Sequence, residues 1–235
     1  MQPYILVVDD DSGLTRLLSM LLEPVGYRVR VAHDGPTALN AINKKAPDLM
    51  VLDVMLPGLD GVEVCRKVRE RHSLPIIALT CLTDTKHKAQ MLDAGADDYL
   101  TKPFRPNVLL SRVQEALRDT SQGIPVGDDG LITIGSLQLD IARGSASLGD
   151  REIPLTRTEY RLLCQLAAHP GQIQTHHMLL QNVWGREYVH DWEYLHVYVG
   201  RLRRKIEADP AHPASIVTIP GIGYKMLAPR LHSTA

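Results

Sequence analysis

Four places in the first half of the chain carry side chains suited to one kind of chemistry. Asp53 ends an apolar run, Leu-Met-Val-Leu at 49–52, and a turn rich in Pro and Gly follows it as far as Gly61. Asp9 and Asp10 end the apolar run 4–8, Thr80 ends the run 75–79, and Lys102 closely follows the short run 97–100. A fully buried strand reads as such a run, and the residue at its carboxyl end emerges into a crevice. Taken singly, an aspartate there is a nucleophile, a metal ligand or a helix cap. Taken together, carboxylates, an ammonium and a hydroxyl fit phosphoryl transfer. Clustered carboxylates raise one another's pKa unless a cation sits among them, and Mg²⁺ accepts one or two carboxylates plus phosphate and waters. An aspartate can attack a phosphoryl group and carry it as an acyl phosphate. The expected roles are therefore Asp53 as nucleophile, Asp10 as direct metal ligand and Asp9 as ligand through water. Thr80 and Lys102 would lie on the phosphoryl oxygens. The bland alternative is a set of helix caps and surface charges.

The elements that must hold these groups alternate. Strands are expected at 4–8, 28–32, 48–52, 75–79 and 97–100. Helices are expected from Ser12, as cap, to Gly26, and at 36–45, 60–71, 84–94 and 108–118. In the first helix Leu14, Leu17, Leu18, Leu21, Leu22 and Val25 share a face. Strand–helix alternation implies a parallel sheet covered on both faces. The expected fold is α/β, a flavodoxin-like doubly wound sheet of order 2-1-3-4-5, which brings the four strand ends to one edge.

After residue 118 the pattern breaks. Domains are expected at 1–119 and 131–229, with a polar, turn-rich linker at 120–130 and a tail at 230–235. The second domain opens with short strands at 131–134, 137–141, 145–148 and 152–155. Thr156 then caps a helix, with Glu159 in the capping-box position. Helices at 175–184 and 192–207 follow, and strands 216–219 and 223–227 close as a hairpin around Pro220-Gly221. Helices followed by a hairpin outline a smaller α+β winged helix-turn-helix.

A net charge of -1 gives no overall basic excess, so any DNA-binding surface must be local. The 3 cysteines, Cys65, Cys81 and Cys164, lie far apart and form no CxxC, which suits a reducing compartment. Cys65 and Cys164 read as core. No basic segment precedes the first apolar run, and no apolar stretch reaches membrane-spanning length, so a cytoplasmic protein is expected.

Residues 4–118 resemble the receiver domains of bacterial two-component response regulators. The resemblance lies in Val-Val-Asp-Asp-Asp at 7–11, Asp53 with Leu-Pro-Gly-Leu-Asp-Gly at 56–61, Ala-Leu-Thr at 78–80, and Gly-Ala-Asp-Asp-Tyr-Leu-Thr-Lys-Pro-Phe at 95–104. It implies that Asp53 takes phosphate from a sensor histidine kinase. It also implies that the backbone carbonyl of Met55 completes the Mg²⁺ site and that Thr80 and Tyr99 form a switch pair. Cys81 stands where the family has a smaller residue, and slowed phosphotransfer or hydrolysis is expected from it.

On the helix at 192–207, Leu195, Val199, Leu202 and Ile206 form an apolar stripe. Glu193, Val197, Gly200, Arg201 and Arg204 fall opposite, with Tyr194 and Tyr198 beside them. Gly200 costs about 1 kcal/mol of helix stability relative to Ala, which is easiest to explain if another backbone comes close. Residues 131–228 resemble the winged-helix effector domain of OmpR/PhoB-type regulators. The motifs are Leu-Thr-Arg-Thr-Glu-Tyr-Arg-Leu-Leu at 155–163, Val-Trp-Gly at 183–185, Val-Gly-Arg-Leu-Arg-Arg-Lys-Ile-Glu at 199–207 and Pro-Gly-Ile-Gly-Tyr-Lys at 220–225. The resemblance makes 192–207 the recognition helix and 218–224 the wing, with Trp184 as core. The DNA-binding set read from this is Glu193, Tyr194, Val197, Tyr198, Arg201, Arg203, Arg204, Thr218 and Tyr224. Pro220 replaces a frequent wing arginine, and Glu193-Tyr194 replaces a frequent Arg-Thr. The string 194–200 is closer to the branch controlling the high-affinity potassium-transport operon.

The family resemblance further implies a homodimer through the fourth helix, fifth strand and fifth helix when Asp53 is phosphorylated. Lys88, Asp97, Asp98, Val108, Arg112 and Arg118 occupy that face, with Val108 replacing a glutamate. Double-stranded DNA with direct repeats, and RNA polymerase, are the other expected partners; no turnover beyond the protein's own phosphotransfer and dephosphorylation is expected. Two readings compete: a phosphorylation-independent DNA-binding regulator, and an Asp-nucleophile phosphatase using Asp9.

Overall fold

The computed structural model describes residues 2–81, 85–117 and 130–227, with the backbone alone given for 85–89. The expected linker up to residue 129 and the tail from 230 lie outside the described residues. The chain divides into two compact units, Met1–Arg118 and Asp119–Ala235. Among the described residues no helix is long and apolar enough to cross a membrane.

The first unit runs β1 (Tyr4–Val8), α1 (Ser12–Leu22), β2 (Arg28–Ala32), α2 (Gly35–Lys44), β3 (Leu49–Asp53), α3 (Gly61–Arg69), β4 (Ile76–Thr80), α4 (Thr85–Ala94), β5 (Asp98–Thr101) and α5 (Pro106–Leu117). Its five strands pair in the order β2-β1-β3-β4-β5, all parallel. β1, β3 and β4 are buried along their whole length. Both sheet faces are covered: Leu6, Val8, Met50 and Leu52 pack to one side with Val64 and Cys65, and Ile5, Val7, Leu49 and Val51 to the other with Leu18 and Leu109. This two-sided burial is why the strands read as unbroken apolar runs.

Two local readings change. Asp11, not Ser12, caps α1, its carboxylate accepting from the N–H groups of Gly13 and Leu14 at 2.8 and 3.2 Å. An extended residue with a short acceptor does this at either position, and the choice between neighbours depends on where the first turn begins. α1 ends at Leu22, a 3-10 turn over Glu23–Val25 follows, and Leu17 is 47% exposed, so the α1 face buried on the sheet is narrower than its leucine content suggests.

The second unit begins with β6 (Leu131–Ile134), β7 (Leu137–Asp140), β8 (Ser145–Leu148) and β9 (Arg151–Glu152), an antiparallel sheet in sequence order. Then come α6 (Arg157–Ala167), β10 (Ile173–Thr175), α7 (His176–Val183), α8 (Trp192–Ile206), β11 (Ile216–Ile219) and β12 (Gly223–Met226). Thr156 and Glu159 complete the capping box of α6. The strand β10 was not expected; it pairs with β12, so the closing hairpin is a three-stranded sheet, β10-β12-β11. A β-carbon at Gly223 would lie 2.0 Å from the carbonyl oxygen of Gln174, so only glycine lets these strands approach.

Candidate phosphoacceptor site and nucleic-acid interface

The carboxyl ends of β1 and β3 and the segment after β5 bring the expected charges together. The Lys102 ammonium lies 2.8 Å from Asp9 Oδ2 and 3.1 Å from Asp53 Oδ2. Asp9, Asp10 and Asp53 each offer an oxygen within 4.8 Å of the others. Asp9 and Asp53 are buried and Asp10 is exposed, so the cluster opens to solvent on the Asp10 side. Asp9 is fixed further, its Oδ1 accepting from the Asp11 N–H at 2.9 Å. Burial raises the Asp53 carboxyl above its ordinary range; Lys102 opposes this and the Asp9 charge adds to it. Burial works against the Lys102 ammonium, but its bonds and charge pairing with Asp9 and Asp53 outweigh that and raise its pKa. The donor set fits a hard divalent cation: oxygen ligands alone, one side open, and a carboxylate whose charge lacks full compensation.

Thr80 ends β4, is buried, and its carbonyl accepts from the Lys102 N–H at 2.7 Å. Tyr99, on β5 beside Ala78 of β4, is half-buried against the core. Met55 is 60% exposed, and its backbone lowers the Asp53 carboxyl pKa slightly against the stronger effect of burial. Cys81 is exposed and free.

Among the residues expected at a dimer face, Asp97 is turned inward. It is 4% exposed and accepts from the Arg69 guanidinium and the Ile76 N–H. It therefore ties α3 to β4 and is not available to a partner. Asp98 is likewise buried, 7% exposed, and pairs within the chain with Arg112, Nε to Oδ2 at 3.6 Å, so it too is corrected from a dimer contact to an internal tie. Val108 is half-buried against the core. The Lys88 side chain and Arg118 lie outside the described residues.

In the second unit, the outward stripe of α8 is rotated from the expected one. Tyr194 and Tyr198 are 1% and 0% exposed. Their rings meet Trp184 edge-on, with centroids at 5.8 and 5.1 Å. Arg201 is 7% exposed and its guanidinium carbon sits 4.7 Å from the Tyr198 ring centroid. These three residues form the core side of the helix together with Leu195, Val199, Leu202 and Ile206, because a large aromatic gains more by packing than a leucine stripe alone predicts. Tyr224 is also buried. All four are therefore corrected from DNA contacts to packing residues. Nor does a backbone approach Gly200: a β-carbon there would meet nothing within 4 Å.

What α8 presents instead is Trp192, His196 and Arg204, all exposed, with Glu193, Val197, Gly200 and Arg203 half-buried between them. Trp192 and His196 were missed; their spacing with Gly200 and Arg204, one turn each, is the signal that could have found them. Arg203 reaches the wing: Nε and Nη2 donate to the Ile216 carbonyl at 3.0 and 2.6 Å, and Nη2 to Thr218 Oγ1 at 2.8 Å.

Residues 5–114 match the response regulator receiver domain, and residues 150–226 match the C-terminal domain of transcriptional regulatory proteins. The chain belongs to the OmpR/PhoB-type response regulators. It is 40% identical to the DNA-binding response regulator MtrA of Mycobacterium tuberculosis, over 96% of this chain and 97% of that one. It is 39% identical to the sensory transduction protein RegX3 of Mycolicibacterium smegmatis, over 94% and 98%. It is also similar to the solved structure of DrrB, an OmpR/PhoB homologue of Thermotoga maritima, at 34% identity over 97% of this chain and 100% of that one, with TM-score 0.52. A response regulator of this type joins a receiver to a DNA-binding effector, which is the division into α/β and winged-helix units seen here.

Proposed function

We propose that Asp53 is the phosphoacceptor of this response regulator and that a sensor histidine kinase in the cytoplasm is its donor. The observation that carries this is the Lys102 ammonium held between two buried carboxylates, Asp9 and Asp53. An Asp53 oxygen bonds to phosphorus as the donor's phosphorus–nitrogen bond breaks, and the imidazole leaves. Lys102 and the Thr80 hydroxyl then hold the phosphoryl oxygens. Asp9, Asp10 and Asp53, with the Met55 carbonyl, are the residues that would hold Mg²⁺, which when bound offsets phosphoryl charge.

The added charge must bias a two-state element to reach the DNA-binding unit. Thr80 and Tyr99 are the proposed pair, and the face of α4, β5 and α5, with Val108 and Arg112, is the proposed dimer surface. A dimer binds two half-sites, here direct repeats, through α8 and the wing, and so regulates transcription, with RNA polymerase as a partner.

The test is labelling with acetyl phosphate and Mg²⁺, with sizing and operator binding on the same samples. Wild type should take up phosphate, shift toward dimer and bind more tightly; Asp53→Ala should do none of these. Equal labelling of both, or label on Asp9, overturns the assignment. Tight operator binding that ignores labelling favours phosphorylation-independent regulation instead.

A further inference from the structure

His196 is the exposed residue at the middle of the outward face of α8, and its ring is held on two sides. The Tyr224 hydroxyl lies 2.9 Å from its Nδ1. The His176 ring, at the start of α7, stands 6.1 Å from the His196 ring and 5.7 Å from that of Tyr224. His176 is in turn covered by Trp192, at 5.5 Å. Residues from α7, α8 and the wing strand β12 thus fix one imidazole. The surface beyond it is bare, since Gly200 one turn on has no β-carbon and open space around it.

The hydrogen bond also decides which proton the ring shows. The Tyr224 hydroxyl has one partner among the described residues, His196 Nδ1. A phenol is a better donor than a neutral imidazole N–H, and an imidazole nitrogen is the better acceptor. With Nδ1 accepting, the ring proton is on Nε2. Nε2 makes no hydrogen bond among the described residues, and the residue is exposed. It is a donor on an exposed ring whose other nitrogen is tied to the wing strand.

Building on the reading that α8 is the recognition helix, the element that enters the major groove in a helix-turn-helix, we propose that His196 is a specificity-determining residue that donates Nε2–H to a base-edge acceptor. Tyr224 is the positioning residue that fixes its tautomer. In the major groove guanine offers N7 and O6, adenine N7 and thymine O4, whereas cytosine offers only a donor. The position facing His196 therefore excludes cytosine and favours guanine, whose two acceptors lie side by side. A ring fixed by three elements reads one base better than a flexible side chain on the same helix.

Binding-site selection from random duplexes, using the phosphorylated full-length protein, tests this. Wild type should enrich a motif with one position depleted of cytosine by about ten-fold or more. His196→Ala should flatten that position and leave the others. Tyr224→Phe should flatten it several-fold with the salt dependence of binding and the Tm little changed, which a purely structural role would not produce. His196→Arg, a donor with no need of Tyr224, should keep the guanine preference and guards against a Tyr224→Phe variant that fails to fold. If wild type enriches a motif and His196→Ala enriches the same one at every position, the inference is overturned while the groove-reading role of α8 stands. A position that selects cytosine overturns the tautomer. If wild type enriches no motif, the groove reading falls and this inference with it.

Discussion

Gly61 lies so close beneath β3 that a β-carbon on it would stand 2.3 Å from the backbone carbonyl oxygen of Asp53. The Gly61 N–H also donates to the Val54 carbonyl at 2.9 Å, which fastens the start of α3 to the end of β3. Gly61→Ala must push these backbones apart, and overpacking of this kind costs about 1–3 kcal/mol. We expect a lower Tm for the receiver transition and slower acetyl-phosphate labelling, because the displaced backbone carries Asp53. Unchanged Tm and labelling would show that the turn absorbs the methyl group.

Lys102 holds Asp9 and Asp53 with little help from solvent; its side chain is 18% exposed and that of Asp9 is 1%. Removing one partner of a buried pair leaves uncompensated charge, at a cost of about 3–5 kcal/mol. Lys102→Ala should therefore destabilise the receiver by about 3 kcal/mol in chelator. Mg²⁺ should restore much of that loss if the carboxylates bind it. Denaturant titration with and without Mg²⁺ reads both effects.

Asp53 gives the opposite sign. Its carboxyl is raised, first by burial, so the folded receiver holds that proton more tightly than the unfolded chain does. Its contribution to stability is greatest below the ordinary carboxylate range and falls as pH rises through the raised value. At neutral pH without metal the ionised group is a cost. Asp53→Asn should then raise Tm in chelator and gain less than wild type from added Mg²⁺. Thermal melts across acid to neutral pH check the slope.

His176 should contribute to the acid sensitivity of the second unit. Burial, then the nearby His196, lowers its pKa. The unfolded chain takes up the proton first as pH falls below about 6.5, so stability is lost from there down through the lowered folded value. His176→Gln should flatten the dependence of the effector-domain Tm on pH between neutral and mildly acidic conditions. A slope identical to wild type would place the sensitivity elsewhere.

Two adjacent arginines should separate stability from DNA affinity. Arg203 makes three hydrogen bonds to β11, whereas exposed Arg204 bonds, among the described residues, only back to the Gly200 carbonyl of its own helix at 3.3 Å. Arg203→Ala should cost about 1.5–3 kcal/mol of stability and loosen the wing. Arg204→Ala should leave Tm alone and reduce the salt slope of DNA binding by about 1, the mark of a lost phosphate contact.

The sequence by itself determined the receiver. Its central strands β1, β3 and β4 are buried on both faces, so each is an apolar run whose end is marked by the first charged or hydroxyl residue. Asp9, Asp53 and Thr80 could be named without coordinates for that reason, and strand alternation then fixed the order β2-β1-β3-β4-β5. Only the tertiary structure decided the rotation of α8. Tyr194, Tyr198 and Arg201 lie within a turn of both the apolar and the polar stripe, and periodicity does not choose between them. Trp184 chooses, by giving the two tyrosines an aromatic partner, and the helix turns until Trp192 and His196 face outward. Asp97 shows the same limit: Arg69, from another helix, makes it a buried tie rather than a surface charge. A strand between two layers has its burial written in its own residues, whereas the exposure of a helix flank or a lone charge depends on a neighbour distant in the chain.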